Sequence, residues 1–364
     1  MLDYISGHLL NACADQASAE RGRNMFHRNH DDRDTTGFGF LPDAHRVRRI
    51  DRAVAALLAG SLIELGRCCL GVIAIDQGAL RRQAGLLANT AAIAPSVFVL
   101  HEACLEAARS DDPDALARRL AEIATVDLAW IPGSVRGFGD ASLPDVDWQR
   151  MRRVLLAQPG SSLALAPAPA DIVHDARGRL AEARSALATA DPALAAETDV
   201  LVTETVFAAA AHRPDGFGGA TCFAVRGTAF LNPWRHPTIV SMAAGLVHEA
   251  AHALLFGLSK GAPMVRNDPA VLYASPLRSD PRPMDGILHA SFVSARMAFA
   301  LQRLLAGDVL DTAERLEAAH AHDAACRAFG AGAAVVRAHG LPTATGGRVM
   351  DEATAFMQAA SATG

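Results

Sequence analysis

Apolar residues recur at a helical spacing through the first half of the chain. Between Arg49 and Leu65 they fall at Ile50, Val54, Leu57, Leu58 and Leu62, the 3.6-residue rhythm of an amphipathic helix. Ser96–Ala108 and Pro113–Ile123 continue the rhythm. Asp145-Val146-Asp147-Trp148 opens another helix, with acids set against its N-terminal dipole. One more helix is expected over 176–190. The texture then changes. Val200 to Phe207 alternates and is rich in Val and Thr, which reads as a strand. Cys222–Val225 and Thr228–Leu231 flank Arg226-Gly227 and predict a β-hairpin. Pro233 and Pro237 end the sheet, and a long apolar helix begins near Pro237, followed by a second over Ile287–Leu305. The fold expected is mainly α with a small β-sheet, in the α+β class. Its N-terminal half is helical, and a long helix follows a β-hairpin.

Residues 158–171 hold three prolines and a glycine and mark a linker. They divide the chain into a helical N-terminal region, 1–170, and a second region, 171–364. A polar segment over 17–42 precedes the first helix. It carries His27 and His30, which are expected to be solvated.

Composition narrows the classes. The 364 residues are 51% hydrophobic and 20% charged, enough to bury a core. The net charge of −5 offers no excess positive field for a nucleic-acid backbone. Lys260 is the only lysine, which removes Schiff-base and P-loop lysines everywhere else. Met1 to Gln16 carries Asp3, His8 and Asp15 and lacks the order of a signal peptide. We find no uninterrupted apolar run of about 18 residues, so the expectation is a cytoplasmic protein without a membrane partner. Whether it forms a homo-oligomer is left open. The six cysteines contain no C-x-x-C pair and are expected to be reduced and mostly buried.

The strongest chemical signal is His248-Glu249-Ala250-Ala251-His252. Histidines at i and i+4 share one helical face and can close on a single metal ion. Glu249 is offset by about 100° and flanks that face. Ser241 and Gly245 on the same stripe are small and leave room beside it. Ser259-Lys260-Gly261-Ala262-Pro263 ends the helix with a Gly and a following Pro. Two histidines do not complete a site, so the chain must return with a further ligand. Ser275 to Ala290 is that return. His289 is its candidate third ligand, and Asp285, one turn earlier, is either a helix cap or a ligand. Arg296, two turns beyond His289 on the same face, suits a bidentate clamp on a dicarboxylate or a structural ion pair. Arg278 and Arg282 in the preceding loop suit the clamp as well. His236 is expected near the site, whereas His320 and His322 face different ways.

These residues resemble a known family. His248 to His252, followed by Ser275-Pro276, Arg282-Pro283 and Gly286-Ile287-Leu288-His289, is similar to the HExxH-motif peptide-modification proteins of ribosomal-peptide biosynthesis. Members of that family are described as α-ketoglutarate-dependent HExxH-type peptide β-hydroxylases. The resemblance spans about 200 to 305. It implies a non-haem Fe(II) dioxygenase using 2-oxoglutarate as cosubstrate, acting on the β-carbon of a residue in a precursor peptide. His248, His252 and His289 would hold the iron and the arginines the 2-oxoglutarate, with Glu249 as a catalytic group. The usual facial triad includes a carboxylate. Here either the triad is three histidines or Asp285 takes the place of His289. The competing reading is a Zn(II) metallopeptidase with Glu249 as general base.

Overall fold

A computed structural model describes residues 38–90, 92–128, 130–157, 163–275 and 280–362. The structure is 64% helical with short strands, mainly α with a small β-sheet. Four helices form its first part: α1 (Ala44–Cys68), α2 (Gln77–Asn89), α3 (Pro95–Arg109) and α4 (Pro113–Ile123). Leu58, Leu62, Leu80, Leu87, Leu100, Leu116 and Leu120 bury their side chains together there. Asp43, Asp76 and Asp112 cap α1, α2 and α4 by accepting from first-turn amides.

Strand β1 (Ser134–Gly137) and helix α5 (Asp145–Leu156) follow, then the two-residue strand β2 (Leu165–Ala166). Helices α6 (Ala170–Ala190) and α7 (Pro192–Leu201) are separated only by Asp191. Asp191 ends α6 and caps α7 by accepting from the Leu194 amide. Pro192 stands at the first helical position of α7, where its missing N–H costs nothing.

Strand β3 (Glu204–Phe207) lies at the centre of the main sheet, which runs β1–β3–β6–β5. Strand β6 (Thr228–Leu231) is parallel to β3, and β3 is parallel to β1. Strand β5 (Gly219–Ala220) is antiparallel to β6 and forms the edge. The expected hairpin therefore sits differently. Phe223–Val225 is a turn of 3₁₀ helix, not a strand. Val225 N–H donates to Cys222 O, and Arg226 N–H to Phe223 O. The Arg226 guanidinium is drawn off by Asp51 and by the Ala253 carbonyl. The partner of β6 thus begins three residues earlier than the alternation suggests. Ala209–Ala210, strand β4, pairs with β2.

The sheet takes β1 from before the proline-rich stretch and its other strands from after it. Phe38, Phe40 and Val47 likewise bury themselves among residues of the C-terminal half. Segments on both sides of the expected boundary near 170 therefore share cores. Among the described cysteines, Cys68, Cys69, Cys104, Cys222 and Cys326 form no disulfide.

The long helix α8 (Ile239–Ser259) opens on a capping box between Thr238 and Ser241. It is apolar almost all round and is long and apolar enough to cross a bilayer, yet 72% of that stretch is buried inside the protein. Its apolar surface serves the core. At its end Lys260 itself takes the left-handed conformation, φ 53°, ahead of Gly261 at φ 78°. The expected glycine stop is thus shared with a lysine.

Strands β7 (Leu272–Tyr273) and β8 (Arg282–Pro283) pair antiparallel and deliver the chain into α9 (Met284–Ala306). Helix α9 lies antiparallel to α8: His248 meets Met297, whereas Phe256 meets His289. Helices α10 (Thr312–His339) and α11 (Ala344–Ala362) complete the core around α9.

Candidate metal centre

Helix α8 is buried on most sides, but His248, His252 and Phe256 form an incompletely covered stripe facing α9. The spacing i, i+4, i+8 places them one turn apart. The His248 and His252 ring centroids stand 4.9 Å apart. His289 comes up from the first turns of α9, its ring 5.8 Å from that of His252 and 5.3 Å from that of Phe256. The structure thus brings together all three histidines singled out in the sequence.

All three rings are held neutral. The surrounding protein keeps His248 below the usual histidine range, and His236 nearby adds to the effect. Burial holds His252 well below that range, reinforced by its two histidine neighbours. Burial also lowers His289, with Asp285 pulling the other way. Neutral imidazole is the form that ligates a metal.

Glu249 lies beside this stripe and is 2% exposed. Its Oε1 is 3.9 Å from His248 Nε2. Burial pushes its carboxyl up to about 8. The acid packs against the edge strand at Gly219, where any Cβ would collide with the Glu249 carboxylate. Gly219 is a glycine because Glu249 needs its space.

Two buried polar atoms in this cluster have no hydrogen-bond partner, Glu249 Oε2 and His289 Nε2. An unpartnered buried group costs about 1–3 kcal/mol, so each calls for an explanation. A divalent cation fits the donor set, three neutral imidazoles with a carboxyl alongside. Among the described residues, no three His, Cys, Asp or Glu side chains already converge on one point.

Asp285 is not the helix cap expected as its alternative role: Pro283 stands at the N-cap of α9 with no side-chain cap bond, and Asp285 lies in the first turn. Its Oδ1 accepts the Met264 amide at 2.7 Å. Its Oδ2 stands 3.7 Å from His289 Nε2, beyond hydrogen-bond reach and on the side of the nitrogen left for an ion.

The arginines divide. Arg296 is buried, and its guanidinium belongs to a structural network. It donates to the Phe40 carbonyl at 2.6 Å and to the Glu197 carboxylate. Arg46 meets the same carboxylate at 3.0 Å. The Arg296 guanidinium also stacks over Phe40 and Phe299. The clamp expected of Arg296 is therefore replaced by the ion pair, because α7 brings Glu197 up to α9. Arg282 is half-buried at the mouth of α9, its Nε 2.9 Å from Asp280 Oδ2. Arg278 lies outside the described residues, as do His27 and His30.

His236 does lie near the site, in a place the spacing does not reveal. Its ring fills the gap over Gly245, where a Cβ would strike it. The room expected beside the stripe is thus occupied. Its Nδ1 faces Ser241 O at 2.9 Å and its Nε2 faces Gly218 O at 3.1 Å. It straps the edge strand to the start of α8 and so steadies Gly219 over Glu249. His322 lies on α10 beside Cys326 Sγ, in an element that contributes no group to this stripe.

Set beside models of known protein families and beside curated proteins, the chain matches none.

Proposed function

We propose that this protein is a metal-dependent enzyme that holds a divalent ion on His248, His252 and His289. The observation that carries the reading is the meeting of three neutral imidazoles across α8 and α9, beside two buried polar atoms without partners. The resemblance of residues 248 to 289 makes the ion Fe(II) and the activity a 2-oxoglutarate-dependent hydroxylation. The substrate is then the β-carbon of a residue in a ribosomally made precursor peptide.

Bound Fe(II) would supply dioxygen activation coupled to decarboxylation of 2-oxoglutarate. The protein's own tasks are more modest. His248 and His252 are only partly covered, and cosubstrate and peptide would reach the ion on that side. Asp285 sets a carboxyl group near His289 Nε2, where it would add charge beside the ion. Glu249, protonated near neutral pH, holds a hydrogen beside His248 without adding negative charge. With Arg296 committed to Glu197, Arg282 is the described arginine left to bind the cosubstrate carboxylate, exchanging its contact with Asp280 for it.

A second reading rests on Glu249. A carboxyl with a pKa near 8 beside a metal-ligating histidine also suits the general base of a zinc peptidase, since a base works best near the operating pH.

One incubation separates the two. The protein is mixed with Fe(II), 2-oxoglutarate, dioxygen and a candidate peptide, and the products are weighed by mass spectrometry. A gain of one oxygen with succinate supports the hydroxylase. Cleavage independent of dioxygen and 2-oxoglutarate, and abolished in Glu249→Gln, supports the peptidase and overturns it.

A further inference from the structure

We propose that Met297 is a positioning residue for His248: its thioether accepts the Nδ1 hydrogen and leaves Nε2 as the free lone pair of the ring. The inference rests on the reading of His248, His252 and His289 as a metal centre and adds a residue to it.

The carrying observation is the contact across the two helices. His248 Nδ1 stands 3.3 Å from Met297 Sδ. A thioether has no hydrogen to give and acts only as a weak acceptor. The neutral ring must therefore place its hydrogen on Nδ1 to make the contact. On the other side of the ring, Nε2 is 3.9 Å from Glu249 Oε1, too far for a hydrogen bond. Among the described residues no group bonds to Nε2, so it is the nitrogen left for an ion.

Helix α9 then does two things for the stripe on α8. His289 in its first turns faces His252 and Phe256. Met297, about two turns further on, faces His248. The antiparallel pairing of the helices sets both contacts at once. Metal-ligating histidines usually give their second N–H to a carboxylate, a carbonyl or water, which fixes the tautomer and the ring orientation. Met297 takes that place with an uncharged acceptor. A methionine side chain has three freely rotating bonds. The half-buried setting between α8 and α9 is what keeps its sulfur at the ring.

The test reads the tautomer directly, in protein carrying ¹⁵N-labelled histidine and no metal. His248 is assigned by comparison with His248→Ala. In the wild type its ring is expected as the Nδ1–H tautomer. In Met297→Leu, which conserves volume, the ring is expected to shift toward a mixture with Nε2–H. Fe(II) and Zn(II) affinities, measured by competition titration, should fall roughly tenfold in that variant. Met297→Gln, whose amide oxygen accepts an N–H at similar reach, should restore both. Circular dichroism checks that the variants fold. Wild-type protein that takes up neither ion overturns the metal reading, whatever the tautomer. Wild-type protein that binds an ion, with tautomer and affinity unchanged in Met297→Leu, overturns the role of Met297 and leaves the metal centre standing.

Discussion

His289 and Arg296 lie seven residues apart on one stripe of α9, and both are buried. Their surroundings differ. The Arg296 terminal nitrogens have protein partners, the Phe40 carbonyl and the Glu197 carboxylate. His289 Nε2 has none within hydrogen-bond reach. The upper part of the stripe is closed by the chain around Phe40 and by α7. The lower part faces the histidines of α8. Spacing on a helix says which residues share a face. What covers that face is decided by segments far away in sequence, here residues separated by 99 and 256 positions from Arg296.

The contrast breaks most visibly at Arg296. Arg296→Leu leaves Glu197 buried with one guanidinium, Arg46, and the Asp43 amide, and removes the donor to Phe40. Breaking a buried pair from one side costs about 3–5 kcal/mol, so the chemical-denaturation midpoint should fall sharply. A variant of unchanged stability with a raised 2-oxoglutarate requirement would instead restore Arg296 to the cosubstrate.

Glu249 gives the next largest effect, and it depends on pH. Its folded pKa is raised from 4.5 to about 8, so the folded state binds the proton more tightly. The stability this confers is present below about pH 4.5 and is lost as the pH climbs through 8, amounting to a few kcal/mol. His248, His252 and His289 act in the opposite direction. Their folded values lie below 6.5, so their contribution is lost as the pH falls below 6.5. Metal-free Glu249→Gln should lose the alkaline decline and keep the acid one. Thermal melts from pH 4 to 9 measure both arms, and a wild-type alkaline arm as flat as that of the variant would contradict the burial argument.

Asp285→Asn should be the mildest change. The amide oxygen still accepts from Met264 N, so stability should move by about 1 kcal/mol or less. Metal affinity should fall by up to roughly tenfold as His289 loses its charged neighbour. If Asp285→Asn strips the ion while His289→Ala spares it, the two residues have exchanged roles.

Most of the helices bearing the site were legible because their apolar positions repeat over many turns, as in α1, α8 and α9. Helices α2 and α7 were not. Helix α2 carries only a short buried stripe, Leu80, Ala84 and Leu87, with Gly78 and Gly85 breaking its pattern. Helix α7 starts at Pro192 directly after α6, and its last residues, Val200 and Leu201, look like the strand that follows. The strands of two residues each, β2, β4, β5, β7 and β8, are too short to show an alternation. At the site, the i, i+4 histidines and His289 were readable from spacing. His236 was not, because its place over Gly245 depends on the path of the edge strand. Met297 was not, because only the antiparallel packing of α8 on α9 sets it at His248. The partner of Arg296 was hidden for the same reason, since Glu197 carries no motif.

The central claim is that His248, His252 and His289 hold one ion between α8 and α9. Anaerobic titration of the metal-free protein with Fe(II), and in parallel with Zn(II), tests it directly when wild type is compared with His289→Ala. The account predicts one ion per chain in the wild type. In the variant it predicts a loss of affinity beyond the roughly 10–100-fold that an outer-shell partner supplies, with unfolding stability unchanged or improved because an unpartnered buried nitrogen has gone. Equal affinity in the two proteins, or no uptake of either ion by the wild type, would contradict it.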